Sequence, residues 1–214
     1  MAKINTINNS TEELTIDPGT GDSFLQFDIN GTGEFRIGVD DDDSDKFKIS
    51  QGSALGSNDC IVIESTGEIT KPLQPAFLAY LGTTDTNVTG DSSVYVLGGG
   101  NALTEIYDIG SNFNTNGTFT APKTAKYFFQ FTIGTADLIG QNYLLIISTT
   151  DRDYYINKRA DVTSNGYQRF CGSLLVSLTA ADTVQFKMVC AGGSKTVDAN
   201  AGVSDTFCMG TLVC

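Results

Sequence analysis

With 214 residues, 40% of them hydrophobic and including 13 Phe and 8 Tyr, the chain suits one or two domains with a packed core. A net charge of −12 argues against binding to phosphate backbones. With no histidine, a Ser-His-Asp or Cys-His nucleophile and any His-ligated zinc are excluded.

Met1-Ala2-Lys3-Ile4-Asn5 lacks the apolar stretch of a secretion signal, and no apolar run reaches the roughly 18 residues of a membrane-spanning helix. The expectation is synthesis in a cytoplasm, export only by assembly or lysis, and no membrane insertion. The Asn-X-Ser/Thr sites at Asn8, Asn30, Asn87 and Asn116 then read as chance matches in an Asn/Thr-rich chain.

Residues 1–71 hold 5 basic and 14 acidic side chains, residues 72–214 hold 8 and 11, so the acidity sits mainly at the front. This front region is a series of short alternating segments: Glu13–Ile16, Phe24–Ile29, Glu34–Ile37, Lys46–Ile49 and Cys60–Glu64. Period-2 alternation predicts strands buried on one face. Asn30-Gly31, Gly38 and Ser65-Thr66-Gly67 supply turns. Each segment buries too little to be stable alone, so lateral partners are expected, from neighbouring repeats or other chains. Asp40, Asp41, Asp42, Asp43 and Asp45 form the densest charge cluster. Calcium takes about six to eight oxygen ligands, so the cluster is a candidate Ca2+ site. The other reading is a solvated acidic turn, since the Gly and closing Glu of an EF-hand are missing.

The wording Phe47-Lys48-Ile49-Ser50, Ala54-Leu55-Gly56-Ser57-Asn58-Asp59 and Thr66-Gly67-Glu68-Ile69-Thr70 resembles stalk repeats of bacteriophage tail fibres. The resemblance implies an intertwined trimeric β stalk over residues 1–71. Pro72 and Pro75 stiffen the chain and stop sheet pairing, which makes residues 72–75 a linker.

Residues 76–214 read as strands throughout, at Ala76–Leu81, Val94–Leu97, Glu105–Asp108, Gly117–Thr120, Ala125–Ile133, Tyr143–Ser148, Tyr154–Asn157, Gln168–Leu178, Thr183–Cys190 and Thr206–Val213. Ten strands divided by Gly, Asn and Asp turns predict a two-sheet jelly-roll sandwich. Gly98-Gly99-Gly100-Asn101 lacks the Lys-Ser/Thr and helix of a phosphate cradle and reads as a loop. In Tyr127-Phe128-Phe129-Gln130-Phe131 aromatic residues fall on both strand faces, which predicts one face in the sandwich and one against a neighbouring subunit.

Gly117-Thr118-Phe119-Thr120-Ala121-Pro122, Lys126 to Ile133, Leu178 to Phe186 and Asp205 to Leu212 follow an order and spacing that resembles the globular heads of the complement component 1q and tumour necrosis factor superfamily. The resemblance runs from about Pro75 to Cys214. It implies a homotrimeric recognition module, with Phe77, Tyr80, Tyr127, Phe129, Phe131, Phe207 and Met209 as candidate trimer contacts. At Ala180-Ala181-Asp182 the chain departs from the family's Gly before this Asp, so Ala181 is expected to keep a negative φ. Surface loops of such sandwiches are natural binding sites. The connection from Ala191 to Asn200 contributes the candidates Lys195, Asp198 and Asn200, against the reading of a passive connection. Tyr154, Tyr155 and Arg159 combine rings and charge as recognition surfaces do, or else their tyrosines pack inward.

The five cysteines, Cys60, Cys171, Cys190, Cys208 and Cys214, show no metal or redox spacing and are expected to be mainly buried free thiols. The combined reading is an all-β protein, a trimeric bacteriophage fibre tip on a virion surface that attaches to a host glycan or protein. The alternatives are a trimerisation cap without a ligand and a fibre-borne glycan depolymerase, for which no carboxylate pair stands out. Neither an enzyme activity nor a cofactor other than Ca2+ is expected.

Overall fold

The computed structural model describes residues 6–8, 13–138, 141–162 and 166–213. These are almost entirely β, and the chain divides into two compact units, Met1–Gln74 and Pro75–Cys214.

In the first unit β1 (Thr6–Asn8) pairs with β2 (Glu13–Thr15). A separate antiparallel meander runs in chain order through β3 (Ser23–Ile29), β4 (Thr32–Asp40), β5 (Lys46–Gln51), β6 (Asp59–Ile63) and β7 (Ile69–Thr70). Asn30 and Gly31 turn the first hairpin with φ of 54° and 80°, the paired left-handed geometry that matches strand twist. Asp41–Asp43 form a single 3-10 turn between β4 and β5, and Ser44 and Asp45 follow with φ of 59° and 57°.

This sheet is a single layer with two unlike faces. The register aligns Phe27 with Phe35, Leu25 with Ile37, Ile49 and Ile61, and Val39 with Phe47, Ile63 and Ile69. Those side chains share one face. The other face carries Phe24, Arg36, Lys48, Ser50 and Val62, and there Lys48, Ser50, Val62 and Leu55 are buried. The Arg36 guanidinium lies 3.9 Å from the Phe24 ring centre.

The second unit contains β8 (Ala76–Leu81), β9 (Asp85–Thr89), β10 (Val94–Val96), β11 (Leu103–Ile109), β12 (Phe113–Asn114), β13 (Thr118–Thr120) and β14 (Ala125–Ala136). It continues with β15 (Gln141–Thr149), β16 (Asp153–Val162), β17 (Gln168–Leu178), β18 (Thr183–Ala191), β19 (Val197–Ala199) and β20 (Phe207–Leu212). All ten expected strands are present. The additions β9, β12 and β19 are short, and their Asp, Asn and Thr residues read as turns in sequence.

Two antiparallel sheets face each other. One runs β11-β8-β20-β14, with β17 on the far side of β14 and β19-β9 continuing from its end. The second runs β12-β13-β18-β15-β16, with β10 also on β18. The core between them is aromatic. Phe77 stacks on Phe113 at 4.2 Å between ring centres, Phe119 lies 5.4 Å from Phe129, and Phe131 lies 5.7 Å from Phe186. Gly210 makes room for this cluster, because a β-carbon there would lie 2.5 Å from Phe77 and 2.6 Å from Phe129.

Ala181 departs from expectation. Its φ is 73°, a left-handed value that glycine adopts without strain. The turn holds it there: the Asp182 N–H donates to Thr179 O, the Thr179 N–H to the Asp182 carboxylate, and the Ala181 N–H to Ala121 O. Cys190 and Cys208 are buried free thiols, Cys60 is half-buried and Cys171 exposed. Burial pushes the Cys190 thiol up to about 12. Among the described residues no helix is long and apolar enough to cross a membrane.

Candidate functional site

The first candidate is the outer face of the β11-β8-β20-β14-β17 sheet. Strand alternation aims Phe77, Tyr127, Phe129 and Phe131 inward, where each is fully buried in its own chain. These four therefore belong to the sandwich core and cannot contact another subunit, which corrects their assignment as trimer contacts. The other three candidates, Tyr80, Phe207 and Met209, lie on the opposite, outer face. The register sets Phe207 beside Tyr80 and Thr132, and Met209 beside Leu78 and Gln130.

The same register extends that face outward. Tyr107 lies opposite Leu78, Thr211 lies between Ala76 and Phe128, and Phe128 lies opposite Leu175. Gln130 lies opposite Ser173, and Thr132 opposite Cys171. None of these positions is charged. Leu175 is 58% exposed and Tyr107 41%. Charge returns only at the ends of the long strands. At one end is Lys126, opposite Ser177. At the other, Arg169 pairs with Asp205, which also accepts a 2.7 Å hydrogen bond from the Tyr167 hydroxyl. The Tyr167 and Arg169 bonds hold the Asp205 carboxyl below its ordinary pKa.

Sequence reading missed Leu78, Tyr107, Phe128 and Leu175 as members of this face. The period-2 signal groups residues by face, but it does not say which of two aromatic faces points inward.

The second candidate is a polar cleft of about 610 Å3 between β9, β10 and the loop 98–101. Its floor is Asp85, which is buried. The carboxylate accepts hydrogen bonds from the Tyr95 hydroxyl at 2.7 Å, the Asn101 N–H at 2.9 Å and the Asn101 side-chain amide at 2.5 Å. Gly100 permits this wrap, since a β-carbon there would lie 2.6 Å from the carboxylate. Burial first, and then the Asp85 carboxylate, push the Tyr95 hydroxyl far above its ordinary pKa. Asp85 thus anchors the Gly-rich loop, a role invisible in a sequence where the two lie apart.

Of the loop candidates, Lys195 is exposed and lines this cleft. Asp198 instead lies in β19 and accepts the Asn87 N–H at 2.7 Å, so it ties β19 to β9. The Asn200 N–H donates to Gly134 O at 2.9 Å. Tyr154, Tyr155 and Arg159 lie on β16, in the other sheet. Tyr155 is 68% exposed and Arg159 exposed, while Tyr154 is half-buried with the Arg152 guanidinium 6.0 Å from its ring centre. The six ligand candidates therefore divide between β19 with its flanking loops and the β16 strand of the other sheet.

The acidic cluster of the first unit is organised around an internal cation. The Lys48 ammonium lies 2.7 Å from Asp40, 2.6 Å from Asp43 and 3.2 Å from Asp59. Lys48 is 2% exposed. Burial works against its charge, but the hydrogen bonds to Asp40, Asp43 and Asp59 outweigh burial and raise its pKa. Bonds from Lys48 and Lys46 hold the Asp43 carboxyl below its ordinary range. Asp41, Asp42 and Asp45 are exposed. Among the described residues no group of three or more acids or thiols has the geometry to hold a metal ion. Locally, Lys48, two residues along β5 from Lys46, engages the carboxylates of Asp40, Asp43 and Asp59.

No family model and no curated protein matches this sequence. The chain is similar to solved structures that include murine APRIL, at 10% identity and TM-score 0.46 over 65% of this chain and 99% of that one. The globular domain of zebrafish complement 1qA is similar at 15% identity and TM-score 0.46, over 66% and 98% of the two chains. The PRD1 vertex protein P5 is similar at 14% identity and TM-score 0.43, over 66% and 99%. The likeness is one of fold.

Proposed function

We propose that this chain is the tip of a homotrimeric bacteriophage fibre, in which the second unit is a receptor-binding head carried on a stalk formed by the first. The observation that carries this reading is the uncharged outer face of the β11-β8-β20-β14-β17 sheet. A chain of net charge −12 that keeps the middle of a sheet face free of charge has a surface suited to burial against its like. Full burial of a side chain such as Leu175 or Phe128 is worth about 1.5–3 kcal/mol. A ring of three such faces accounts for the pattern without altering the core.

Attachment to the host then falls to surfaces away from the axis. The polar cleft, with Lys195 at its rim, suits a hydroxyl-rich or anionic group of a surface glycan or protein. The edge strand carrying Tyr154, Tyr155 and Arg159 offers a second contact. Three weak sites on one axis gain avidity through effective concentration.

Light scattering of the purified protein tests the assembly. The expected mass is three times the 22.8 kDa chain, with Leu175→Glu lowering the melting temperature of that assembly while the β signal in circular dichroism persists. A parent protein of single-chain mass ends the reading. Binding to an array of host surface glycans and proteins, strong for the parent and weak for Leu175→Glu, tests the attachment role. An array with no binding by the trimer would favour a cap without a ligand.

A further inference from the structure

The first unit has an open apolar face of its own. The face formed by Leu25, Phe27, Phe35, Ile37, Val39 and Phe47, and continued by the isoleucines of β5, β6 and β7, contains no charged side chain at its register positions. Its exposure is large, with Phe27 at 58%, Phe35 at 43% and Ile69 at 64%. The charges of the ion cluster lie on the opposite face, where Lys48 bridges Asp40 and Asp59 beside the buried Leu55 and Val62. One face of the sheet is thus closed by its own chain, and the other is covered by none of the described residues of its unit.

A sheet stabilised on one side only needs a second layer. Two observations favour another copy of the same face as that layer. The first is charge. A partner surface must be as free of charge as this one, and an identical face meets that condition, because the acidic groups of both chains then point away from the contact. The second is area. Five strands spaced by about 4.8 Å, each contributing about 20 Å of length, present on the order of 500 Å2 per chain. Two such faces meeting would cover roughly 1,000 Å2, the lower bound of a specific interface. One face left open is as large as the largest apolar patch of a typical monomer, about 300–600 Å2, and patches of that size are often functional.

We infer that the apolar face of the β3–β7 sheet is a self-association surface, packed against the same face in other chains by side chains alone, with the Lys48 cluster outermost. The β3–β7 ladder is built within one chain, so the contact requires no exchange of strands. That the copies number three rests on the proposed trimeric head.

Site-specific photo-crosslinking of the purified full chain tests this. Phe35 is replaced by the photoreactive p-benzoyl-phenylalanine, and Leu175 likewise in a second preparation. The expected result at Phe35 is crosslinked species of two and three times 22.8 kDa on a denaturing gel. Phe27 provides a second position should the Phe35 variant fail to fold. Crosslinking confined to one chain would mean that the face is covered in cis, and would overturn the inference. So would crosslinking between chains at Leu175 with none at Phe35 and Phe27, and the trimeric head would then stand alone. Crosslinking at Phe35 with none at Leu175 supports the inference and counts against the head reading.

Discussion

Gly210 lies directly across the ladder from Phe129, and a β-carbon at Gly210 would sit 2.6 Å from that ring and 2.5 Å from Phe77. The aromatic core is thus built around a missing side chain. Gly210→Ala is expected to destabilise the second unit by about 1–3 kcal/mol, the usual cost of overpacking, although alanine is the better strand residue of the two. Urea titration checks this; an unchanged midpoint would mean that the rings move aside freely.

Ala181 offers the opposite case. It holds φ at 73° in a turn closed by Asp182, and glycine adopts this conformation without the strain of a β-carbon. Ala181→Gly is expected to raise stability by about 0.5–1 kcal/mol, after the larger chain entropy lost on folding is subtracted. A lower melting temperature would show that the turn relaxes in solution.

The ion cluster of the first unit has a defined pH signature. Asp43 has a depressed pKa, so its contribution is present above the ordinary carboxyl value of 3.8 and is lost as pH falls through its lower folded value. Lys48 has a raised pKa, so its contribution is complete below the ordinary lysine value of 10.5 and is lost as pH rises through its higher folded value. Between those limits the cluster contributes a constant amount. Lys48→Met is expected to cost about 3–5 kcal/mol at neutral pH, because it strands buried carboxylate without its cation. A buried carboxylate without a cation favours its neutral form, so the variant should regain stability as pH falls towards 4. Thermal melts of parent and variant across that range provide the check, and parallel profiles would argue against the cluster.

Cys171 reports on the outer face. It is exposed in the single chain and lies opposite Thr132 in the uncharged surface, whereas Cys190 and Cys208 are buried. In the assembled protein Cys171 is expected to react with a thiol reagent at least tenfold more slowly than in the Leu175→Glu variant. Equal rates would mean that Cys171 lies outside the contact. Cys190 and Cys208 should react only on unfolding, in either protein.

Much of the second unit was legible in advance, because strands buried on one face announce themselves through alternation. The Gln168–Leu178 strand, for example, has the expected bounds. What alternation leaves open is direction. Tyr127, Phe129 and Phe131 are as apolar a set as any subunit contact requires, and only the register against Gly210 and Cys208 identifies them as core. Likewise, five aspartates within six residues read as a cation site or as a solvated turn, and no local pattern indicates that Lys48 engages two of them. The anchoring of residues 98–101 by Asp85 depends on a contact across 16 positions, which no local pattern encodes.

The two uncharged faces have a consequence for how the protein is made. In the proposed trimer, a chain newly released from the ribosome exposes both at once, and copies of itself supply what covers them. Its stability then becomes a matter of mass action, and rises with protein concentration rather than being a constant of the sequence. Dilution would act on it as a denaturant, and slow synthesis would leave chains exposed to proteases and to misdirected association for longer than fast synthesis in a crowded burst.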